Sequence, residues 1–376
     1  MEQLKKDLVN KLQKKNPTTL NMVVGFDGFV DEIIHVVDKR LDSDSFTRIE
    51  TILDLSKRIE KASGLSTNIE LISTQKKIGG NGPIMCNALA KHAPSITYIG
   101  ALGYPTLNDV FIEMSQIATL YTVAENGHTD ALEFNDGKLM LGKMVSLKDV
   151  TYEKTIETIG FEKLLELLSQ TDLFASVNWS MLPNMTDFWQ KLLIHVLPHL
   201  PKRDKKPIFF IDLADPEKRE AVEIIEALDL LKSFTPYFKV VLGLNKKEAY
   251  DVANVLERFD SESLEQMQVS LEDLNMSLYQ YLKIDAVVIH PVDRSCVVID
   301  GAFYEASGPY VKKPKLTTGA GDNFNAGFVL GLLLDLDPTE ALLVGMSTSG
   351  YYVRQAKSPT YTELVTFITD WSNQAI

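Results

Sequence analysis

A short segment near the carboxyl end of the chain combines three small residues with one carboxylate. Gly319, Ala320, Gly321 and Asp322 stand directly before a long apolar run in KLTTGAGDNFNAGFVLGLLL, residues 315–334. The small residues let a ligand approach the backbone closely, and the apolar run predicts a helix that begins here. Free N–H groups and the positive end of the dipole at such a terminus favour an anion such as phosphate. Asp322 is the one negative charge among these donors, so we expect it to accept a proton rather than bind the anion.

A second glycine-rich turn lies near the amino end of the chain. Gly79, Gly80 and Asn81 precede a predicted apolar helix in GGNGPIMCNALAKHA, residues 79–93. One interpretation is a tight turn that leads into a buried helix. The other is a backbone surface open to a hydroxyl-rich ligand, with the Asn81 amide as donor and acceptor. The segment alone does not decide between them.

Two carboxylates follow the first predicted strand. In GFDGFVDEI, Asp27 and Asp31 are four residues apart, just past the carboxyl end of that strand. An ionised carboxylate there can accept hydrogen bonds from two neighbouring hydroxyls of a sugar. The alternative is that one of the two is a helix N-cap. We expect the sugar contact from Asp31 before Asp27.

An amide and a carboxylate mark a later junction between a strand and a helix. Asn245 and Glu248 are three residues apart in LGLNKKEAYDV. This spacing is typical of a capping box. It also suits a hydrated Mg²⁺ that bridges phosphates, since Mg²⁺ prefers oxygen ligands and keeps several waters. Farther along, His290 follows another predicted strand and either borders a nucleotide or is a loop histidine without a role.

Six short apolar runs alternate with helical patterns and must position these residues. The runs are NMVVGF, SITYIG, LFASVNW, PIFFIDL, FKVVLGL and DAVVIHP. Because they are apolar on both faces and separated by helices, they predict an α/β fold with a doubly wound, mainly parallel sheet flanked by helices. Such sheets bind ligands at the carboxyl ends of their strands. We expect a single domain over residues 1–376.

One region departs from this alternation. Residues 119–145 contain three β-like runs separated by Asn-Gly and Asp-Gly pairs, which are hairpin signals. We expect a small antiparallel, β-rich lid here, joined by part of residues 32–75 and placed over the ligand edge of the main sheet. Within it, GKLMLGKM has P-loop spacing, but Met144 replaces the Ser or Thr that would bind magnesium, so we expect no P-loop.

Composition and charge narrow the class of protein. The 376 residues are 45% hydrophobic and 24% charged, as in a folded chain, and the net charge of −13 argues against a nucleic-acid binder. Two cysteines are too few for a disulfide framework and are typical of a reducing cytoplasm. The N-terminal MEQLKKDLVNKLQKKN lacks the apolar core of a signal peptide, and DLDP interrupts the apolar region 324–346, which predicts two helices rather than a membrane span. We therefore expect a cytoplasmic protein without a membrane or nucleic-acid partner.

In these segments the chain resembles the PfkB or ribokinase-like family of carbohydrate kinases. TTGAGDNFNAGF at 317–328 matches the carboxy-terminal signature of that family, and the Gly-Gly turn, the N-x-x-E pair and DLADPEKR at 212–219 occur in its order and spacing. The resemblance implies the ribokinase-like fold and ATP-dependent, Mg²⁺-dependent phosphorylation of a hydroxyl on a sugar, a sugar phosphate or a nucleoside. The alternatives are a catalytically idle sugar- or nucleotide-binding protein of the same fold, and ADP as the phosphoryl donor.

The resemblance also implies a role for each site residue. Asp322 is the general base, and the N–H groups of residues 319–321 stabilise the transferring phosphoryl group. The implied substrate contacts are Asp27, Asp31, Gly79, Gly80 and Asn81; the implied nucleotide contacts are Asn245, His290, Thr318, Gly319 and Gly321; and Asn245 and Glu248 hold Mg²⁺ through water. A homodimer through the lid is common in the family.

Three features depart from the family pattern. Leu316 stands where the family usually carries Asp, six residues before the base, which argues against a monovalent-cation site of the ribokinase type. Ile84 stands where many members carry Asn, four residues after the second glycine, so the sugar contacts must be rearranged. The segment 32–77 is longer and more helical in pattern than a typical lid region, which alters the lid or creates a subunit contact.

Overall fold

The structure is a computed structural model that describes residues 2–375. The strands are β1 (Asn21–Phe26), β2 (Phe29–Arg40), β3 (Phe46–Arg48), β4 (Leu71–Gly79), β5 (Ser95–Gly100), β6 (Thr119–Thr122), β7 (Gly127–Phe134), β8 (Gly137–Lys143), β9 (Leu173–Val177), β10 (Ile208–Asp212), β11 (Lys239–Leu244), β12 (Ala286–Ile289), β13 (Arg294–Ile299) and β14 (Ala302–Ser307). The α-helices are α1 (Glu2–Leu12), α2 (Ile52–Lys61), α3 (Asn81–Ala90), α4 (Ile112–Ser115), α5 (Tyr152–Ile159), α6 (Phe161–Gln170), α7 (Met185–Lys191), α8 (Ala221–Leu231), α9 (Lys246–Val255), α10 (Ser261–Glu265), α11 (Leu271–Leu282), α12 (Ala320–Leu333), α13 (Pro338–Gln355) and α14 (Tyr361–Ser372).

The larger sheet has nine strands in the order β14-β13-β12-β11-β10-β9-β1-β5-β6. Neighbours from β6 to β12 are parallel, and β13 and β14 add an antiparallel edge. The six apolar runs predicted as strands are β1, β5, β9, β10, β11 and β12. Each packs between two large groups of buried side chains, one on each face of the sheet. The prediction of a doubly wound, mainly parallel sheet is therefore confirmed.

The second sheet, here called the small sheet, contains β2, β3, β4, β7 and β8. Two parts of the sequence-based prediction for this region are wrong. The run Thr119–Thr122 pairs with β5 in the larger sheet, so only residues 127–143 of the predicted region belong to the small sheet. The small sheet is also mixed rather than antiparallel, because β7 runs parallel to β2. The segment 32–75 does contribute, through β2, β3, β4 and the predicted helix α2.

The chain passes between the small sheet and the rest of the molecule at residues 27–28, at Gly80, at residues 123–126 and at Met144. All four crossings lie at the same end of the small sheet. Phe29, the first residue of β2, pairs with both Gly79 at the end of β4 and Gly127 at the start of β7. The last residue of β8, Lys143, pairs with His128. Within residues 2–375, the chain segments at the opposite end of the small sheet only connect its own strands and α2.

Two helices occupy the apolar region near the carboxyl end, as predicted. The interruption contains Asp337, which caps α13 and forms a capping box with Glu340. A carboxylate at this position satisfies helix N–H groups that have no partner within the helix, so a new helix starts here. Among residues 2–375, no helix has the length and hydropathy that a membrane crossing requires.

His92, directly after α3, is a buried histidine whose ring lacks hydrogen bonds. Its side chain is 1% exposed, and neither ring nitrogen has a hydrogen-bond partner among residues 2–375. Burial lowers the pKa of His92 to about 4. The folded state therefore takes up this proton at a lower pH than the unfolded chain does.

We expect His92 to reduce stability as the pH falls from about 6.5 towards 4, since only the unfolded chain is protonated in that window. Between pH 7 and pH 5 the native protein should lose about 2 kcal/mol more unfolding free energy than the variant His92→Phe. Urea denaturation of both proteins at the two pH values measures this difference. Equal losses in the two proteins would contradict the prediction.

Candidate active site

The predicted site residues gather at the carboxyl edge of the parallel strands. Asp212 is the last residue of β10, Asn245 directly follows β11, and His290 directly follows β12. Helix α12 begins at the same edge, with Gly319 as its N-cap and Asp322 in its first turn. Loops at this edge of an open parallel sheet converge, so residues far apart in sequence share one site.

The N-terminus of α12 presents fewer free donors than the sequence predicts. The Ala320 N–H donates to the Thr317 carbonyl at 3.0 Å, so it is not available to an anion in this conformation. Among residues 2–375, no backbone carbonyl accepts from the N–H of Gly319 or Gly321. Of the three expected donors, Gly319 and Gly321 are therefore available, at the positive end of a helix of 14 residues.

Two residues from other helices, Ile84 and Tyr352, contact the loop before α12. Gly319 has a φ of 87°, which is the left-handed region that glycine adopts readily. A Cβ atom at this position would lie 2.9 Å from the Tyr352 hydroxyl and 3.1 Å from Ile84 Cγ2. The same hydroxyl donates to the Thr318 carbonyl at 2.9 Å. The positive φ and these close neighbours favour glycine at 319, and the Tyr352 hydrogen bond holds the loop at Thr318.

Asp322 lies at the centre of the site and is 7% exposed. Its Oδ1 accepts a hydrogen bond from Asn81 Nδ2 at 2.9 Å. Burial raises the pKa of Asp322 to about 8; the Asn81 hydrogen bond opposes this shift, and the carboxylates of Asp27 and Glu248 add to it. A carboxylate with a raised pKa is a better proton acceptor when ionised, which suits the predicted base.

Asp27 has a different environment from the one the sequence predicts. Its side chain is fully buried and accepts hydrogen bonds from Asn81 N at 2.9 Å, Gly82 N at 2.8 Å and Asn178 Nδ2 at 2.7 Å. Burial raises its pKa to about 6. Both carboxylate oxygens are occupied by the protein, so we correct the predicted substrate contact: Asp27 binds the amino end of α3, whose N-cap Gly80 has no side chain to do so.

Asp31 lies on β2 beside the Gly-Gly turn. Its neighbours across the small sheet are Lys77 on β4 and Thr129 on β7. A Cβ atom at Gly79 would overlap the Asp31 carboxylate, so glycine at this position makes room for it. Burial raises the pKa of Asp31, and a hydrogen bond from Thr129 opposes the shift. The structure brings Asp31, Gly79 and Gly80 together at the base of the small sheet.

Asn245 and Glu248 form the capping box that was one of the two sequence-based interpretations. Asn245 Oδ1 accepts from Glu248 N at 2.9 Å, and Glu248 Oε2 accepts from Asn245 N at 2.8 Å. Glu248 Oε1 accepts from Asp215 N at 3.0 Å. Both oxygens of this buried carboxylate already have backbone donors, and its contact with a cation through water stays a prediction.

Asp212 is a third acidic group; it begins the DLADPEKR segment, but the sequence-based prediction assigned it no role. Its carboxylate accepts from Asn325 Nδ2 at 2.7 Å and from Ala214 N at 2.9 Å. Burial holds the pKa of Asp212 well above its usual range, and the carboxylates of Glu248 and Asp322 raise it further. Its position at the end of an apolar strand was the sequence signal that could have identified it as a site residue. Asp212, Glu248 and Asp322 disfavour one another's charge, so a nearby cation would stabilise their ionised forms.

A cavity of about 350 Å³ opens beside the N-terminus of α12. Its walls come from the strand ends and from α13, with Asn245, His290, Pro291, Val292, Pro309, Tyr310, Val311, Pro314, Thr317, Ala320, Gly321, Phe324, Met346, Ser349, Gly350 and Val353. The ring centroids of His290 and Phe324 are 4.7 Å apart. Burial lowers the pKa of His290 to about 4, so its imidazole is neutral. Three of the expected nucleotide contacts, Asn245, His290 and Gly321, line this cavity, whereas Thr318 and Gly319 do not.

Comparison with known proteins indicates the family to which the chain belongs. Residues 2–371 match the sequence profile of the prokaryotic ketohexokinase family. A ketohexokinase from Haloferax volcanii is 26% identical over 352 residues, which cover 93% of this chain and 91% of the relative.

Solved structures share the fold. The Arabidopsis thaliana ribokinase, determined with ribose and ATP, has a TM-score of 0.62 at 15% identity and covers 93% of this chain and 99% of its own. The Methanocaldococcus jannaschii nucleoside kinase has a TM-score of 0.60 at 13% identity and covers 94% of this chain and 100% of its own. Because the family profile spans almost all of the described residues, the chain belongs to the prokaryotic ketohexokinase family and is a carbohydrate kinase of the ribokinase-like fold.

Proposed function

We propose that this kinase transfers the terminal phosphoryl group of ATP, with Mg²⁺, to a hydroxyl of a ketohexose. The observation that carries the acceptor class is the match of residues 2–371 to the prokaryotic ketohexokinase profile. The ketohexokinase from Haloferax volcanii supports the same class. Nothing in the comparisons supports the idle binding protein.

Asp322 is the general base of the proposed reaction. It lies at the mouth of α12, within reach of the Gly-Gly turn and beside the free Gly321 N–H. A base in this position takes the proton of the acceptor hydroxyl as that oxygen attacks the phosphorus atom. Its raised pKa favours proton uptake, while the Asn81 amide supports the ionised form that the reaction needs.

The N–H groups of Gly319 and Gly321 stabilise the phosphoryl group as it passes from donor to acceptor. They point from the positive end of α12, and donors fixed in advance need no reorganisation during the reaction. Ala320 would contribute only if its N–H left the Thr317 carbonyl. The stabilisation therefore comes from two backbone donors rather than the three that the sequence suggests.

The donor nucleotide occupies the cavity beside α12, between His290 and the residues of α13. Neutral His290 and Phe324 present ring surfaces to it. Mg²⁺, when bound, neutralises the charge of the donor phosphates. Asp212 and the Asn245–Glu248 pair would hold this ion through water.

The acceptor sugar lies between Asp322 and the base of the small sheet. Asp31 accepts hydrogen bonds from its hydroxyls, and the backbone of Gly79 and Gly80 lets it approach closely. The small sheet acts as the lid that keeps water from the phosphoryl group. In this arrangement the acceptor and the nucleotide reach Asp322 from opposite sides.

A coupled assay of ADP release from ATP, with Mg²⁺ and with fructose, glucose, ribose or adenosine, tests the proposal. We expect the highest kcat/KM with fructose, and a phosphorylated ketohexose in the mass spectrum. A higher value with ribose or adenosine would change the acceptor class, and turnover from ADP but not from ATP would change the donor. Binding of sugar in a thermal-shift assay without any turnover would instead support the idle protein.

A further inference from the structure

Asn81 connects two parts of the site that are distant in sequence. It is the first residue of α3 and follows the small sheet through Gly80 alone. Its Nδ2 reaches Oδ1 of Asp322, 241 residues farther along the chain, at 2.9 Å. The amino ends of α3 and α12 thus face each other, and this hydrogen bond joins the first residue of α3 to the first turn of α12.

The backbone of Asn81 is held by the buried carboxylate of Asp27. Asn81 N donates to Asp27 Oδ2 at 2.9 Å, and Gly82 N donates to Asp27 Oδ1 at 2.8 Å. Asp27 is itself held by Asn178 Nδ2 at 2.7 Å and is fully buried. A buried carboxylate with these donors allows little movement, so the backbone of Asn81 is held in place, and its amide contacts Asp322 without a ligand.

The hydrogen bond occupies one oxygen of the Asp322 carboxylate. Asn81 is a neutral donor, so it orients the carboxylate without pairing with its charge. The groups that act electrostatically on Asp322 from neighbouring elements are the carboxylates of Asp27, Asp212 and Glu248 and the hydroxyl of Tyr352. Asn81 differs from these groups because it contacts the Asp322 carboxylate directly, through a hydrogen bond to Oδ1.

We propose that Asn81 is a positioning residue that acts through Asp322: its amide holds Oδ1 so that Oδ2 is presented to the acceptor hydroxyl. This inference rests on the proposed role of Asp322 as the base. It assigns Asn81 a different task from the sugar contact that the sequence predicts. An error of about 1 Å in the position of a reacting group reduces turnover by about 100-fold, which is the scale of the effect we expect.

The variant Asn81→Ala removes the amide and keeps the backbone N–H that binds Asp27. We expect kcat to fall by about 10-fold to 100-fold while the KM for the sugar changes little. Asn81→Asp should lower kcat further, since it places a second carboxylate against Asp322. Asn87→Ala makes the same change on the same helix, away from Asp322, and should leave kcat unchanged; thermal melts check that all three variants fold.

The decisive measurement combines Asn81→Ala with Asp322→Asn. If Asn81 acts through Asp322, the double variant should have the same residual kcat as Asp322→Asn alone. A further loss equal to that of the single Asn81→Ala variant would overturn the inference, as would a raised sugar KM with an unchanged kcat. Full activity of Asp322→Asn would instead remove the proposed base, which is a separate failure that the same set of proteins reveals.

Discussion

Asp322→Asn should fold normally and turn over about 10²–10⁴-fold more slowly than the native enzyme, the usual contribution of a positioned base. The fold should survive because an asparagine at 322 keeps an oxygen for the hydrogen bond from Asn81 Nδ2. The substitution also removes a carboxylate that burial disfavours, as the raised pKa of about 8 indicates. Initial rates at saturating ATP and sugar measure the loss in kcat.

Asp335→Asn is the matched control for this experiment. Asp335 lies just beyond the other end of α12, where its exposed side chain pairs with Lys205. The same chemical change there should leave kcat within experimental error of the native value. If Asp322→Asn kept most of the native kcat, Asp322 could not be the base, and another group would have to accept the proton.

Asp27→Ala should lower the free energy of unfolding by about 3–5 kcal/mol, because it leaves three buried donors without an acceptor. Those donors are Asn81 N, Gly82 N and Asn178 Nδ2, all within 2.9 Å of the carboxylate. Two of them belong to α3 and the third follows β9, so the loss should also loosen the contacts of α3 with the ends of β1 and β9. Urea denaturation at pH 7 measures the change.

Asp31→Ala provides the comparison, because Asp31 lies four residues away and is buried to a similar extent. Its carboxylate is on the strand residue that pairs with Thr129, and among residues 2–375 it has no counterpart to the three backbone and amide donors of Asp27. We expect a loss of about 1 kcal/mol or less in unfolding free energy, together with a raised KM for the sugar. Equal destabilisation by the two substitutions would show that the hydrogen bonds of Asp27 do not set its contribution.

The strands of the larger sheet were predictable because their signal is local. A strand buried on both faces must be apolar along its whole length, and runs such as NMVVGF and FKVVLGL show this directly. The sheet that a strand joins is set by tertiary contacts instead. Thr119–Thr122 looks like the first strand of a hairpin, yet its hydrogen bonds go to β5 in the larger sheet.

The site was predictable in its residue types and less so in its contacts. Asp322 and the turn before α12 followed from the chemistry of a helix N-terminus. Asp27 accepts hydrogen bonds from Asn81 and Asn178, whereas Asp31 does not. These partners lie 54 and 151 residues from Asp27, so no local pattern reveals the difference. The Ala320 hydrogen bond to Thr317 likewise depends on the turn that the loop adopts before the helix begins.

Among residues 2–375, all four crossings lie at one end of the small sheet, so the sheet is anchored to the larger part of the molecule at that end alone. Its longest strand, β2, has 12 residues, which is a length of about 40 Å from the fixed end to the free end. Asp31 is the third residue of this strand, so it lies within about 10 Å of the support. Any rotation of the sheet about its crossings therefore moves Asp31 roughly a quarter as far as the free tip near Arg40. A rotation of this kind would displace the outer part of the sheet while leaving the carboxylate nearest the reaction close to its position relative to Asp322.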